Sequence, residues 1–202
     1  MIQFEKTEVI PLDGSHAQAV GALLGKCGTA DISDAHVVVC ARTEGYAVVT
    51  SDPTADYRQL TVVDTAGRAA GHSGRHTLGT HHLAIGDGAV AAGNLLASTD
   101  VIDVMLAAFG HHPADDLAAR LLHALTAALS AGGEAGPVHS AGLAVTHPTA
   151  GWADTDLRVD WHDDPIGELG RLWALWQPQR QDYITRGLDP ASAPAYGVPG
   201  DQ

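Results

Sequence analysis

Cysteine is scarce in this chain of 202 residues, and only Cys27 and Cys40 occur. Two cysteines do not make a disulfide framework, and no CxxC spacing is present. Cys40 lies in an apolar run and reads as a small buried hydrophobe. Positive charge is short as well: 11 Lys and Arg stand against 24 Asp and Glu, a formal net charge of −13. Nucleic acid and anionic membranes are therefore poor partners, because no basic surplus exists to displace phosphate counterions. No uninterrupted apolar run reaches the length of a membrane span. The first residues, Met-Ile-Gln-Phe-Glu-Lys, lack the layout of a signal peptide, so the expected location is cytoplasmic. What remains is an ordinary hydrophobic share of 45%, enough for one sizeable domain or two small ones.

The first 56 residues read as strand, helix, helix, strand. Glu8-Val-Ile-Pro-Leu12 is a short strand, limited by Pro11 to an edge or an end. Apolar residues at Ala17, Val20, Leu23 and Leu24 make a helical stripe. Thr29, Asp31 and Ser33 are candidate caps of a second helix that stops near Gly45. Tyr46-Ala-Val-Val-Thr50 is a strand, and the order implies an α/β unit with a parallel sheet.

From residue 57 the pattern changes. Leu60-Thr-Val-Val63 and Arg68-Ala-Ala-Gly-His-Ser73 are strands around a turn, Asp64-Thr-Ala-Gly67. Residues 81–91 read as one irregular strand, broken by Gly86-Asp-Gly88. Ser98-Thr-Asp100 is expected to cap a helix carrying Val101, Met105 and Phe109. A further helix starts after Pro113 and aligns Leu117, Leu121, Leu125 and Leu129 on one face, with Ala131-Gly-Gly133 closing it. Strands follow at residues 140–146 and 156–160. Pro165 opens a helix through Ile166, Leu169, Leu172 and Trp173 that is expected to end at Trp176. An extended tail rich in Pro, Gly and Ala begins at about residue 188. This part is α+β, with helices layered on a largely antiparallel sheet.

Two resemblances follow from particular motifs. Asp34-Ala-His-Val-Val-Val-Cys-Ala-Arg-Thr-Glu-Gly45, then Ala47-Val-Val-Thr-Ser-Asp52, resemble the C-terminal half of a PIN-domain ribonuclease of the VapC type, over residues 7–56. That resemblance implies Mg²⁺ or Mn²⁺ held by carboxylates, because hard cations take oxygen ligands and activate water. Asp34 and Asp52 match two of those acids, with Asp31 and Asp56 as helpers. The plainer reading makes Asp34 a helix-terminal acid and Asp52 a turn residue before Pro53. The first Asp and mid-chain Glu of that family have no counterpart here.

Tyr57-Arg-Gln-Leu-Thr-Val-Val-Asp-Thr-Ala-Gly-Arg, Gly93-Asn-Leu-Leu-Ala-Ser, Asp156-Leu-Arg-Val-Asp-Trp-His-Asp-Asp-Pro-Ile-Gly-Glu-Leu and Arg186-Gly-Leu-Asp-Pro-Ala-Ser-Ala-Pro resemble the DUF 1028 family, over residues 55–202. The resemblance implies the N-terminal-nucleophile (Ntn) hydrolase superfamily and its αββα sandwich. Such enzymes attack an amide carbonyl with a Thr, Ser or Cys at the chain start, whose own amine is the base. That segment has no counterpart here, and Cys27, Thr29 or Ser51 would serve only after cleavage. The expectation is a chimera: a partial PIN-like unit over 1–56, a truncated Ntn-hydrolase-like unit over 57–202, and a seam at residues 51–64. Its function would be hydrolase-like on a small-molecule or peptide amide, inactive as it stands. A PIN-type ribonuclease fragment and a non-catalytic binding module are the alternatives. Sheet edges opened by the absent strands leave a homo-oligomer open as a partner.

Asn94, after Gly93 at a strand end, is the candidate oxyanion donor, although a left-handed turn residue is the preferred reading. Asp156, Asp160, His162, Asp163 and Asp164 have the chemistry for a cation, but a solvated edge and helix-start acids explain them better. His72, His76, His81, His82, His111 and His112 fit no metal motif such as HExxH. Trp173 and Trp176 read as packing residues.

Overall fold

The computed structural model describes residues 53–63, 66–147, 149 and 151–198. Residues 1–52 of the PIN-like unit, which hold its predicted strands and helices and both Asp34 and Asp52, lie outside them. Three antiparallel hairpins and three helices follow in order: β1 (Gln59–Val63), β2 (Ala69–Ser73), β3 (His82–Gly86), β4 (Ala89–Gly93), α1 (Asp100–His111), α2 (Leu117–Ser130), β5 (Ala141–Thr146), β6 (Ala153–Val159) and α3 (Pro165–Leu188). The class is mixed α and β, with strands paired only within each hairpin among the described residues.

Hairpin β1–β2 stacks on hairpin β3–β4, and α1 covers the opposite face of β3–β4. Alternation along the strands explains this. Gln59, Thr61 and Val63 share a face with their partners Ser73, Gly71 and Ala69. That face meets β3, where the side chain of Leu83 fills the space a Cβ on Gly71 would need. The close approach depends on glycine at 71. On the other face of β3–β4, Ala84, Ala89 and Ala91 join the core beside Val101, Ile102 and Met105 of α1. Covered on both sides, β4 is buried throughout.

Residues 81–91 are not one irregular strand but the hairpin β3–β4, with Gly86 paired to Ala89 around Asp87 and Gly88. Gly88 has φ 63°, the left-handed conformation that an Asp-Gly turn supplies. The glycines read as interruptions are the turn itself.

Helix α1 is not capped by Ser98 or Thr99: Thr99 has helical angles and makes no side-chain cap bond. Asp100 and Asp103 in the first turn complement the helix dipole instead. At its other end Arg120 donates from Nε to the Phe109 carbonyl at 3.1 Å and lies 4.0 Å from the Phe109 ring centre. Helix α2 is capped by Asp116, which accepts from the Ala118 N–H at 2.9 Å. It ends in a Schellman arrangement, Gly133 N–H to Ala128 O and Gly132 N–H to Leu129 O, both 3.0 Å. Its buried stripe is Ala118, Leu121, Ala124 and Ala128 rather than the four leucines, and Leu129 is exposed. The alanines face inward where α2 packs on α1, because small side chains let the two backbones approach.

Helix α3 continues past Trp176 to Leu188, with Pro178 inside it. Proline removes one helical hydrogen bond and crowds the preceding turn, which the sequence suggests as a stop. Long-range contacts hold the second half in place. Trp176 Nε1 donates to the Asp154 carbonyl of β6 at 3.0 Å, and the Arg180 fork holds Asp116 Oδ1 and Oδ2 at 3.0 and 2.8 Å. The helix packs on β6 and β5, and β5 also meets α2. No helix of the described residues is long and apolar enough to cross a membrane.

Met105 is fully buried between α1, β4 and α2. Met105→Ala is expected to lower unfolding free energy by about 2–5 kcal/mol in urea melts, the range for emptying a core methionine site.

Candidate functional site

The chain leaves β4 through Gly93, Asn94 and Leu95 under unusual restraint. Leu95 has φ 53°, the left-handed region, and no other described non-glycine residue does. For a leucine this conformation costs roughly 1–2 kcal/mol, so its surroundings must impose it. Two segments do so, with three bonds. Leu95 N–H donates to Leu78 O at 3.1 Å, Ala135 N–H donates to Leu95 O at 2.7 Å, and Leu96 N–H donates to Thr80 O at 2.9 Å. Gly79, itself at φ 64°, leaves room for the Leu95 side chain. Ala97 N–H reaches Gly133 O at 3.0 Å, which ties the segment to the end of α2.

Gln59 closes the other side. Its Nε2 lies 2.9 Å from Ser73 Oγ, 3.1 Å from His82 O and 3.0 Å from Gly93 O. One carboxamide thus joins both hairpins at the end where Asn94 emerges. Asn94 is half-buried, and no hydrogen bond within the described residues occupies its carboxamide. The left-handed residue expected at Asn94 is its neighbour Leu95. The carboxamide of Asn94 is therefore not needed to satisfy the turn. Asn94 is thus a half-buried carboxamide beside a strained residue whose N–H and C=O are both bonded.

The other candidates do not assemble. Among the described residues no three His, Cys, Asp or Glu side chains come together as a metal-binding group. Asp160 is paired with Arg158 at 2.6 Å, and Asp164 caps α3 by accepting from Gly167 N–H at 3.0 Å. His162 Nδ1 accepts from Asp164 N–H at 2.9 Å, while His72 Nε2 faces Ala55 O at the same distance. His82 faces Asp103 at 3.3 Å, and His112 lies edge-on to His123. Asp56, in a short 3-10 helix over Ala55–Tyr57, pairs with Arg75 at 2.6 Å. Trp173 is buried in the core, and Trp176 packs beside Tyr183.

Sequence reasoning missed two features. Gln59 sits in an unremarkable strand, and only the stacking of the hairpins reveals its role. Asp154 is the extra residue of a bulge, where Val145 pairs with Thr155 and Thr146 with Ala153. Its carboxylate is almost fully buried, 4.0 Å from Arg180 Nε, and its Oδ1 has no hydrogen-bond partner among the described residues. At the start of α3, Glu168 is bound by both Arg171 Nε and Nη2, at 2.7 and 2.6 Å. That hydrogen bonding holds the Glu168 carboxyl below its ordinary value of 4.5 and raises Arg171 above its ordinary value.

Stacked hairpins covered by helices, with a strained turn at a strand end, define a mixed α/β domain. The model of DUF1028, a family of unknown function, matches residues 39–169. The chain belongs to this family. A crystallised protein of Silicibacter pomeroyi, assigned to the same family, is similar over 67% of this chain at 32% identity, with a TM-score of 0.57. This chain spans 58% of that protein's length. No curated protein matches. The matched range starts at residue 39, so the family likeness runs through residues 51–64 rather than beginning there.

Arg180→Met would leave the buried Asp154 carboxylate without its cation and break the Asp116 fork. The expected loss is roughly 3 kcal/mol in chemical denaturation, with part of it recovered in Arg180→Met/Asp154→Asn. For Glu168 the folded carboxyl is depressed, so its stabilisation is present above 4.5 and disappears as pH falls through the lower folded value. Melting temperatures taken from pH 5 downwards should therefore decline less steeply in Arg171→Met than in the parent.

Proposed function

We propose that this chain is a hydrolase-like protein of Ntn type that recognises an amide carbonyl at the end of β4. In that chemistry the side chain of the first residue attacks the carbonyl carbon and its α-amine takes the proton. Negative charge builds on the carbonyl oxygen, and a fixed donor nearby stabilises it. Asn94 Nδ2 is that donor in this reading. What supports it is one observation: Leu95 is held left-handed by bonds from two segments, 78–80 and 133–135, directly beside a carboxamide that has no hydrogen-bond partner among the described residues. Backbone strain of this kind persists only where its surroundings over-determine it, and it clusters at ligand sites. Cleavage would need a nucleophile that none of the described residues supplies, since Cys27, Thr29 and Ser51 lie outside them. The ligand class is a small molecule or peptide carrying an amide.

The test is a titration of the ¹⁵N-labelled chain with N-acetylphenylalaninamide. The largest amide shifts are expected at residues 93–96, and Asn94→Ala should weaken binding about tenfold, the equivalent of one hydrogen bond. Shifts centred elsewhere, or an unchanged affinity in Asn94→Ala, would overturn the reading.

A further inference from the structure

We infer that Gln59 is the positioning residue of this site, acting through the peptide plane that joins Gly93 to Asn94. The inference deepens the reading of Asn94 as a carbonyl-binding group and rests on it. The Gly93 carbonyl and the Asn94 N–H belong to one rigid unit. Gln59 Nε2 holds that carbonyl at 3.0 Å, which fixes the rotation of the plane. The next plane, from Asn94 to Leu95, is fixed by the Leu95 N–H bond to Leu78 O at 3.1 Å. Asn94 is thus held from both sides, and its Cα–Cβ direction follows from two anchored planes rather than from its own contacts.

Gln59 suits this task for three reasons. It reaches the site from a different hairpin, so it ties the Asn94 segment to β1 as well as to β3. Its second backbone acceptor, His82 O, belongs to the residue paired with Gly93 in the β3–β4 ladder, so both strands are gripped at one rung. Its third contact, Ser73 Oγ at 2.9 Å, holds the carboxamide on the inner face of β1–β2. A group of the same length without N–H donors would leave two backbone carbonyls without their contacts at the turn. A donor set within about half an ångström of its working position loses function when such support is removed.

The experiment uses the full chain and two variants. Gln59→Met keeps the length and removes the donors. Gln59→Asn keeps the carboxamide but shortens its reach, and guards against a fold that tolerates no apolar residue there. Backbone order parameters are measured without ligand. The Asn94 amide is expected to fall from a rigid value of about 0.85 to below about 0.6 in both variants, while the Met105 amide in α1 stays unchanged. Affinity for N-acetylphenylalaninamide should drop about fivefold to tenfold, with no further drop when Gln59→Met is added to Asn94→Ala. A purely structural role would give additive losses and would loosen Met105 as well. An Asn94 amide as ordered in Gln59→Asn as in the parent, or additive losses in the double variant, overturns the inference. If Asn94→Ala alone leaves affinity unchanged, the carbonyl-binding reading fails, and the order parameters still decide whether Gln59 positions Asn94.

Discussion

Strand β4 carries no side chain larger than valine and is covered on both faces, by β1–β2 on one side and α1 on the other. Three alanines and a glycine leave little volume of their own, so each neighbouring layer must come close to exclude water. That demand sets the residues around it. Glycine at 71 admits Leu83, and Met105, Val101 and Ile102 of α1 fill the opposite side. Apolar area removed from water on both faces is what holds the layers together, at about 25 cal/mol for each Å². The strand's end inherits this rigidity, and the turn beyond it has nowhere to relax.

A second anchoring point lies where β6, α2 and α3 converge. The Asp116 carboxylate both caps α2 and receives the Arg180 fork, so one side chain satisfies the start of one helix and fastens the later turns of another. Buried carboxylates are costly unless paired, and Asp154 shares the same guanidinium. The two regions are joined through the core, since Leu121 and Ala128 of α2 belong to the same cluster as Ala91 of β4. Position at the turn and order in α3 therefore share one scaffold.

The parts that the sequence makes legible are those governed by local rules. The apolar runs around the turn at 64–67 identify β1 and β2, Pro113 comes four residues before α2, and Pro165 announces α3. The misreadings share a physical cause. Gly86, Asp87 and Gly88 look like damage to a strand until the pairing of Gly86 with Ala89 shows them as its turn. Pro178 is a local stop signal, overruled by contacts more than twenty residues away in sequence. At the candidate site Asn94 is visible because Gly-Asn at a strand end has few uses. Leu95 and Gln59 are not visible: a leucine carries no preference for positive φ, and a strand glutamine gives no sign of which carbonyls it will meet. Strain and cross-hairpin bonding arise only after the layers stack.

Every strand of the described part pairs with its neighbour in sequence, across connections short enough to close on their own. Such pairings form within microseconds and need little loop entropy. Each hairpin closes locally in sequence, whereas stacking the layers brings distant segments together. The bonds that hold Leu95 left-handed come from loop 78–80 and residues 133–135, so they need both segments in place. The turn beside Asn94 is thus a record of completed assembly: a chain that has stacked incompletely will lack it, however much secondary structure it contains.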